Sequence, residues 1–259
     1  MKQAMSDALA FDRLQVRIHA DRAAAGRMAG REAAGAITAA IARQGAARIV
    51  LACAPSQDEM LATLAASPVD WSRVTVFHMD EYVGLEAGHP AAFRHYLRAH
   101  LLARVRPAAF HGLAGEAADP AAECRRYGAL LAAAPLDLAC LGIGENGHLA
   151  FNDPPVADFA DRERVKRVEL DEACRRQQVN DGCFGSLAEV PRRALTLTIP
   201  ALLAARRLVV TVPGVRKAAA VRATLRGPLA TACPASILRT HPAATLHLDP
   251  AAAGSAVHG

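Results

Sequence analysis

Short apolar runs alternate with longer stretches of helical periodicity along almost the whole chain, and this alternation constrains the fold more than any other feature. Strands are predicted over 14–19, 48–53, 73–79, 136–141, 165–170, 194–199, 208–212 and 245–248. Helices are predicted over 21–44, 57–66, 90–105, 121–133, 215–225 and 235–239. Runs such as Leu136-Asp137-Leu138-Ala139-Cys140-Leu141 suit strands covered on both faces, which is what parallel crossover connections produce. The expected fold class is α/β: three αβα layers around a doubly wound, mostly parallel sheet. No Gly/Ser linker, compositional break or fixed-period repeat divides residues 1–259, so a single domain is expected. Ligands of such sheets bind beyond the carboxyl ends of the strands, so chemistry belongs in the loops that follow strands.

Composition narrows the partners. The chain has 259 residues, 52% of them hydrophobic, enough for a sizeable core. Its net charge of +5 is spread over scattered arginines such as Arg192-Arg193 and Arg206-Arg207, without a basic run or an aromatic-interleaved strip. That pattern argues for a solvated cationic surface that attracts anionic metabolites, and against nucleic acid. The segment from Met1 to Arg13 lacks a charged region followed by an apolar stretch, and no long uncharged apolar run occurs, so neither a leader nor a membrane span is expected. A cytoplasmic protein follows, and its six cysteines, none in a Cys-x-x-Cys arrangement, are expected to be buried free thiols. No metal-ligand spacing is present, and no metal is expected. Self-association into a homo-oligomer is left open.

Three post-strand loops carry candidate chemistry. The first reads Asp80-Glu81-Tyr82-Val83-Gly84-Leu85. A carboxylate at the end of a buried strand is desolvated and gains proton affinity, which makes Asp80 a candidate general base with Glu81 behind it; alternatively the pair simply starts a turn in water. The second begins Gly142-Ile143-Gly144-Glu145-Asn146-Gly147-His148 and runs on to Asn152-Asp153-Pro154-Pro155. Its Gly-x-Gly-x-x-Gly start fails as a dinucleotide turn, because the two prolines stop the long helix that motif has to open. The better reading is that glycines, Gly147 among them, bring backbone close to a ligand while His148 projects into the same space with Asp153 as its partner. A solvated His148 beside an Asx turn is the alternative. The third loop, Pro213-Gly214-Val215-Arg216-Lys217, places one of only three lysines where a compact cation could meet a phosphate, or where a first-turn residue could simply be exposed.

Together these loops resemble the glucosamine-6-phosphate deaminase (isomerase) family, through Phe77-His78-Met79-Asp80-Glu81-Tyr82 and the segment from Gly142 to Pro154. Glu123-Cys124-Arg125-Arg126-Tyr127, Val190 to Thr196 and Pro234-Ala235-Ser236-Ile237-Leu238 match in the same order, from about residue 30 to residue 250. The resemblance implies a Rossmann-like fold and a cofactor-free aldose–ketose isomerisation of an amino-sugar phosphate, giving fructose 6-phosphate and ammonia. It implies Asp80 as the base between C2 and C1, and His148 as the ring-opening residue. Asp153 stands where the family usually has Glu, and Asn146 at a position that is Asp or Asn. Lys217 matches a phosphate lysine, and Ser56, Glu81 and Gly147 are placed on the substrate side.

Two departures bear on the phosphate. Cys53-Ala54-Pro55-Ser56-Gln57 replaces a Thr-Gly-Gly-Thr-Pro loop, which leaves Ser56 and a helix N-terminus as the cradle. The family's arginine is missing from the stretch 177–184, with Arg175 or Arg176 as the nearest replacement. The other activities the resemblance allows are galactosamine-6-phosphate deamination and 6-phosphogluconolactonase-like hydrolysis, beside a non-catalytic sugar-phosphate sensor.

Overall fold

The structure is a computed structural model that describes residues 9–257. The expectations that concern residues 1–8 and 258–259, the outer ends of the single domain and most of the segment read for a leader, lie outside the described residues.

The strands are β1 (Leu9–Phe11), β2 (Leu14–Ile18), β3 (Ala47–Leu51), β4 (Val74–His78), β5 (Asp80–Tyr82), β6 (Ala109–His111), β7 (Leu138–Leu141), β8 (Val165–Glu169), β9 (Arg193–Leu197), β10 (Arg207–Val212) and β11 (Ala244–Leu248). Eight of them form one sheet in the order β1-β2-β11-β10-β7-β3-β4-β6, parallel throughout except for the antiparallel pair β1/β2. Side chains alternate between faces along each strand, and the two faces feed two cores. Val50, Phe77, Ala139 and Val210 point into one; Ile49, Leu51, Val76, Cys140 and Val209 point into the other.

Helices cover both faces. Helix α1 (Arg22–Gln44) starts where the Asp21 carboxylate accepts the Ala24 N–H at 2.7 Å. With α2 (Asp58–Ala66) it closes the second core through Ala33, Ile37, Met60 and Leu64. After the short α3 (Phe93–Leu97), α4 (Pro120–Ala132), α6 (Ile199–Leu203) and α7 (Ala218–Arg226) cover the first core with Tyr127, Leu202 and Val221. The predicted three-layer α/β class is the one observed. No helix among the described residues is long and apolar enough to cross a membrane.

The structure corrects the sequence reading in several places. Residues 165–170 and 194–199 do not extend the parallel sheet: β8 and β9 pair antiparallel with each other and with β5, in a separate sheet of order β5-β9-β8. The sequence of β8, Val-Lys-Arg-Val-Glu, buries only Val165 and Val168 and so belongs to a sheet with one wet face. The predicted helix over 90–105 shrinks to α3 followed by a π-helical turn, Arg98–Leu102. A helix absent from the prediction, α5 (Glu172–Asn180), is polar almost all round. All six cysteines are free, but only Cys53, Cys140 and Cys174 are buried; Cys124, Cys183 and Cys233 are half-buried.

Candidate active site

Strands β4 and β6 lie to one side of β3, and β7, β10 and β11 to the other, so the chain changes winding direction between β3 and β7. Loops leaving neighbouring strands at such a point diverge and leave a crevice. A cleft opens there, lined by Ala52 to Ala54 and Ser56 after β3, Met79 and Asp80 after β4, and Gly142 to Gly144 after β7. His148, Ala150, Phe151, Phe93, Gln177, Gln178 and Lys217 complete it.

Asp80 is not in a solvated turn. One residue past β4 the chain enters β5, where Asp80 pairs with Thr196, and Leu197 N–H donates to the Met79 carbonyl at 2.7 Å. Asp80 is 6% exposed, and burial, reinforced by Glu81 next to it, pushes its pKa well above the usual carboxylate range. Glu81 points the other way, as alternation along a strand requires, and does not line the cleft. Fully buried, it accepts the N–H groups of Phe93 and Arg94 at 3.0 Å each and pairs with the Arg94 guanidinium at 3.1 Å. Its placement on the substrate side is corrected: Glu81 caps α3, which has no side-chain cap of its own at Ala92.

The loop after β7 is built to present His148. Gly147 (φ 86°) closes a turn by donating to the Gly144 carbonyl at 3.0 Å, and Gly144 donates to the His148 carbonyl at 3.0 Å. Ala150 also lies in the left-handed region, φ 51°, a conformation a non-glycine residue holds only under constraint. The constraint is visible: Phe151 N–H donates to Thr196 Oγ1 at 3.1 Å, and the Asn152 amide donates to the carbonyls of Leu149 and Leu197, both at 2.8 Å. Gly147 itself is not among the lining residues. Its carbonyl accepts from Ala235 N–H at 2.9 Å and a Cβ would sit 2.8 Å from Cys233 Sγ, so its place is in the packing behind the loop.

His148 and Asp153 do meet. Nδ1 of His148 lies 3.0 Å from Asp153 Oδ1 and 2.8 Å from Asn146 Oδ1, and the Asn146 amide donates to the same Asp153 oxygen at 2.9 Å. Burial alone would raise the Asp153 pKa, but hydrogen bonds from His148 and Asn146 and the backbone N–H of Asp171 hold it below the usual carboxylate value. An ionised Asp153 only accepts, so the proton of a neutral imidazole sits on Nδ1 and Nε2 keeps its lone pair for proton transfer.

The cleft is also lined by Lys217, 7% exposed, at the end of a turn (Val215–Lys217) opened by Gly214. Burial lowers its pKa, against the pull of Asp181 and Glu145. Both of those carboxylates are engaged by Arg216, at 2.6 and 3.5 Å, which leaves the ammonium to whatever enters the cleft. Ser56 lines the same cleft. Neither suggested replacement for the missing arginine reaches the cleft: Arg175 is bonded to the Val190 carbonyl at 2.9 Å, and Arg176 pairs with Glu172 on the surface. The amides of Gln177 and Gln178 stand there instead. The fold also brings Cys174 to the His148–Asp153 pair, with one ligand atom from each of the three lying within 4.8 Å of the others. No sequence spacing announced this.

A buried carboxyl of raised proton affinity and a carboxylate-backed imidazole in one crevice, at the winding switch of a parallel sheet, define a doubly wound α/β protein with a cleft suited to acid–base chemistry. The family model described as glucosamine-6-phosphate isomerases/6-phosphogluconolactonase matches residues 20–247. The chain belongs to that family. It is 42% identical over 200 residues to the glucosamine-6-phosphate deaminase of Pseudarthrobacter chlorophenolicus, covering 76% of this chain and 75% of that one. To the enzyme of the same name from Lactobacillus delbrueckii subsp. bulgaricus it is 36% identical over 211 residues, 81% and 88% of the two chains. A solved monomeric glucosamine-6-phosphate deaminase superposes with a TM-score of 0.84 at 30% identity, over 92% of this chain and 98% of that one. The 6-phosphogluconolactonase of Trypanosoma brucei shares the fold, with a TM-score of 0.72 at 20% identity over 92% and 97% of the chains.

Proposed function

We propose that this protein is a deaminating isomerase that converts glucosamine 6-phosphate and water to fructose 6-phosphate and ammonia. The observation that carries the reading is the imidazole of His148, 3.0 Å from Asp153, lining one cleft with the buried carboxyl of Asp80. Nε2 of His148 takes the proton of the anomeric hydroxyl and returns it to the ring oxygen, which opens the pyranose. Asp153 and Asn146 fix the ring orientation and support the imidazolium formed in between. The carboxylate of Asp80 then removes the C2 proton and delivers it to C1. The electron pair left at C2 enters a C1–C2 double bond while the former aldehyde oxygen takes up a proton from solvent, which gives the enolamine, and protonation at C1 gives the C2 iminium. Water adds to that carbon and ammonia leaves.

Lys217 and Ser56 hold the phosphate end, with Gln177 and Gln178 as neutral donors where the resemblance called for an arginine. None of these steps requires a cofactor. The family membership and the names of the relatives support the substrate. A cytoplasmic, single-domain enzyme over residues 1–259 goes with the reading, supported by six free cysteines and by two cores built on one sheet.

The test is to incubate the purified protein with glucosamine 6-phosphate, galactosamine 6-phosphate, unphosphorylated glucosamine and 6-phosphogluconolactone. Ammonia and fructose 6-phosphate should appear in equal amounts from the first and not from glucosamine. Lactone hydrolysis without ammonia release from any amino sugar would overturn the proposal.

A further inference from the structure

Cys174 has no part in the reaction above, yet the fold buries it against the proton shuttle His148 and its partner Asp153. It lies on α5, whose cap Asp171 donates its own N–H to Asp153 Oδ2 at 3.4 Å, so the start of this helix is docked on the His148–Asp153 pair. Cys174 and Asp153 are each 1% exposed and His148 is 8% exposed. We propose that His148, Asp153 and Cys174 form a site for a thiophilic divalent cation, zinc or cadmium, and that its occupation switches the enzyme off.

The donor set selects the ion. One imidazole nitrogen, one carboxylate oxygen and one thiolate suit a borderline or soft cation and not magnesium or calcium. With bonds of roughly 2.0 Å to nitrogen or oxygen and 2.3 Å to sulfur, tetrahedral zinc spaces its ligand atoms roughly 3.3–3.7 Å apart. His148 Nδ1 and Asp153 Oδ1 stand 3.0 Å apart, and one ligand atom from each of the three residues lies within 4.8 Å of the others, so modest side-chain shifts reach that range.

Charge also fits. Binding releases the thiol proton of Cys174 to solvent, and the resulting thiolate and the Asp153 carboxylate together neutralise the dication, so the buried site carries no net charge. The Asn146 amide already orients Asp153 from outside the set, the arrangement that outer-shell groups have in metal sites. Three protein ligands leave one position free. The cleft supplies the way in, since His148 lines it together with Gln177 and Gln178, the next turn of α5 after Cys174.

Occupation stops turnover for a definite reason. A cation on Nδ1 displaces the Asp153 hydrogen bond and drives the ring proton from Nδ1 to Nε2, so Nε2 has no lone pair left to accept the sugar proton. This consequence rests on the proposed function; the binding itself does not. The test therefore has two arms.

In the first, chelator-treated protein is titrated with cadmium alone while the ultraviolet thiolate-to-cadmium band is followed. The parent protein should develop the band with one equivalent, and Cys174→Ser and Cys174→Ala should each weaken that binding tenfold or more. In the second, zinc is added during ammonia release from glucosamine 6-phosphate. The parent should lose activity and regain it on chelation, while both variants keep turning over at zinc concentrations that silence the parent. A cadmium band unchanged in both variants, or a parent that stays active at saturating zinc, would overturn the site. A parent inactive on every amino sugar yet showing the Cys174-dependent band would overturn the function and leave the metal site standing.

Discussion

Gly144 and His148 face each other so closely that a single methyl group would not fit between them: a Cβ on Gly144 would lie 2.2 Å from Cε1 and 2.3 Å from both ring nitrogens of His148. The imidazole occupies the space that a side chain would take at any residue but glycine. Gly144→Ala is therefore expected to push the ring off the Asp153 hydrogen bond without touching either core. Displacements of about 1 Å at a reacting group cost on the order of a hundredfold in rate, so kcat should fall by about that factor with little change in melting temperature. Steady-state kinetics beside a thermal melt check this; a variant with parental kcat would show that the ring position is not set by Gly144.

Asp80→Asn keeps the shape of the side chain and removes the proposed base. Turnover should drop by about two to four orders of magnitude, the usual contribution of a positioned acid–base group. Stability should move the other way. Burial, with Glu81 next, raises the folded pKa of Asp80 above its ordinary 3.8. The folded state then holds the proton over a pH window in which the unfolded chain has lost it, and that part of the stability is lost as pH rises through the folded value. The asparagine variant lacks this loss, so its melting temperature relative to the parent should climb as pH is raised from about 4. Equal pH dependence of the two melts would count against a buried, proton-holding Asp80.

Lys217→Met tests the anion end. The stem of methionine fills the same channel, but the charge-assisted contact to a phosphate goes, a loss of about 1.5–3 kcal/mol. KM for glucosamine 6-phosphate should rise by roughly ten- to a hundredfold while kcat changes far less. A fall confined to kcat would place Lys217 at the reacting end of the sugar instead.

Much of the site was legible because three of its parts follow directly on strands of the main sheet: Asp80, the segment from Asn146 to Asp153, and Lys217 come after β4, β7 and β10, in the order in which the sheet presents them. The parts that escaped come from elements with weak periodic signals. Helix α5 alternates charged and amide residues around a single buried cysteine, so nothing in 172–180 marks a helix, and with it went Cys174, Gln177 and Gln178. The role of Glu81 was hidden for a different reason. Its partners, the N–H groups of Phe93 and Arg94, lie beyond a turn whose course no local pattern reveals, and an acidic residue beside the proposed base reads as substrate-facing until the strand pairing of β5 turns it inward. The separate sheet β5-β9-β8 was missed because short strands look alike one at a time and differ only in their pairing.

Breaking the Glu81–Arg94 pair should be costly although it lies outside the cleft. Arg94 is 6% exposed and also reaches Glu116 at 3.0 Å, while Glu81 has no contact with water. Arg94→Met leaves a buried carboxylate without its cation, a situation that costs about 3–5 kcal/mol. Urea denaturation of the variant should show a midpoint lowered accordingly, with the slope unchanged. A loss below about 1 kcal/mol, the value of a surface pair, would mean that the two backbone N–H groups alone stabilise Glu81.

Acid should unfold the protein partly through a residue next to the site but not in it. His78 ends β4 fully buried, and its Nε2 accepts the Leu113 N–H at 2.8 Å, so it is held neutral. Burial, then the charge of Arg94, depresses its pKa from 6.5 to about 3. In the unfolded chain it takes up a proton below its ordinary value, whereas in the folded chain it does not. The stability tied to the neutral ring is thus complete above pH 6.5 and is lost as pH falls toward about 3. One such group contributes a slope of about 1.4 kcal/mol per pH unit within that window. His78→Gln keeps an acceptor for Leu113 and cannot titrate. Its unfolding free energy, measured by denaturant titration from neutral pH down to about pH 5, should fall less steeply than the parent's by about that slope, whatever its absolute stability. His19, whose pKa is likewise lowered by burial, to about 4, titrates in both proteins and cancels in the comparison. Parallel curves for parent and variant would show that His78 carries no linked proton.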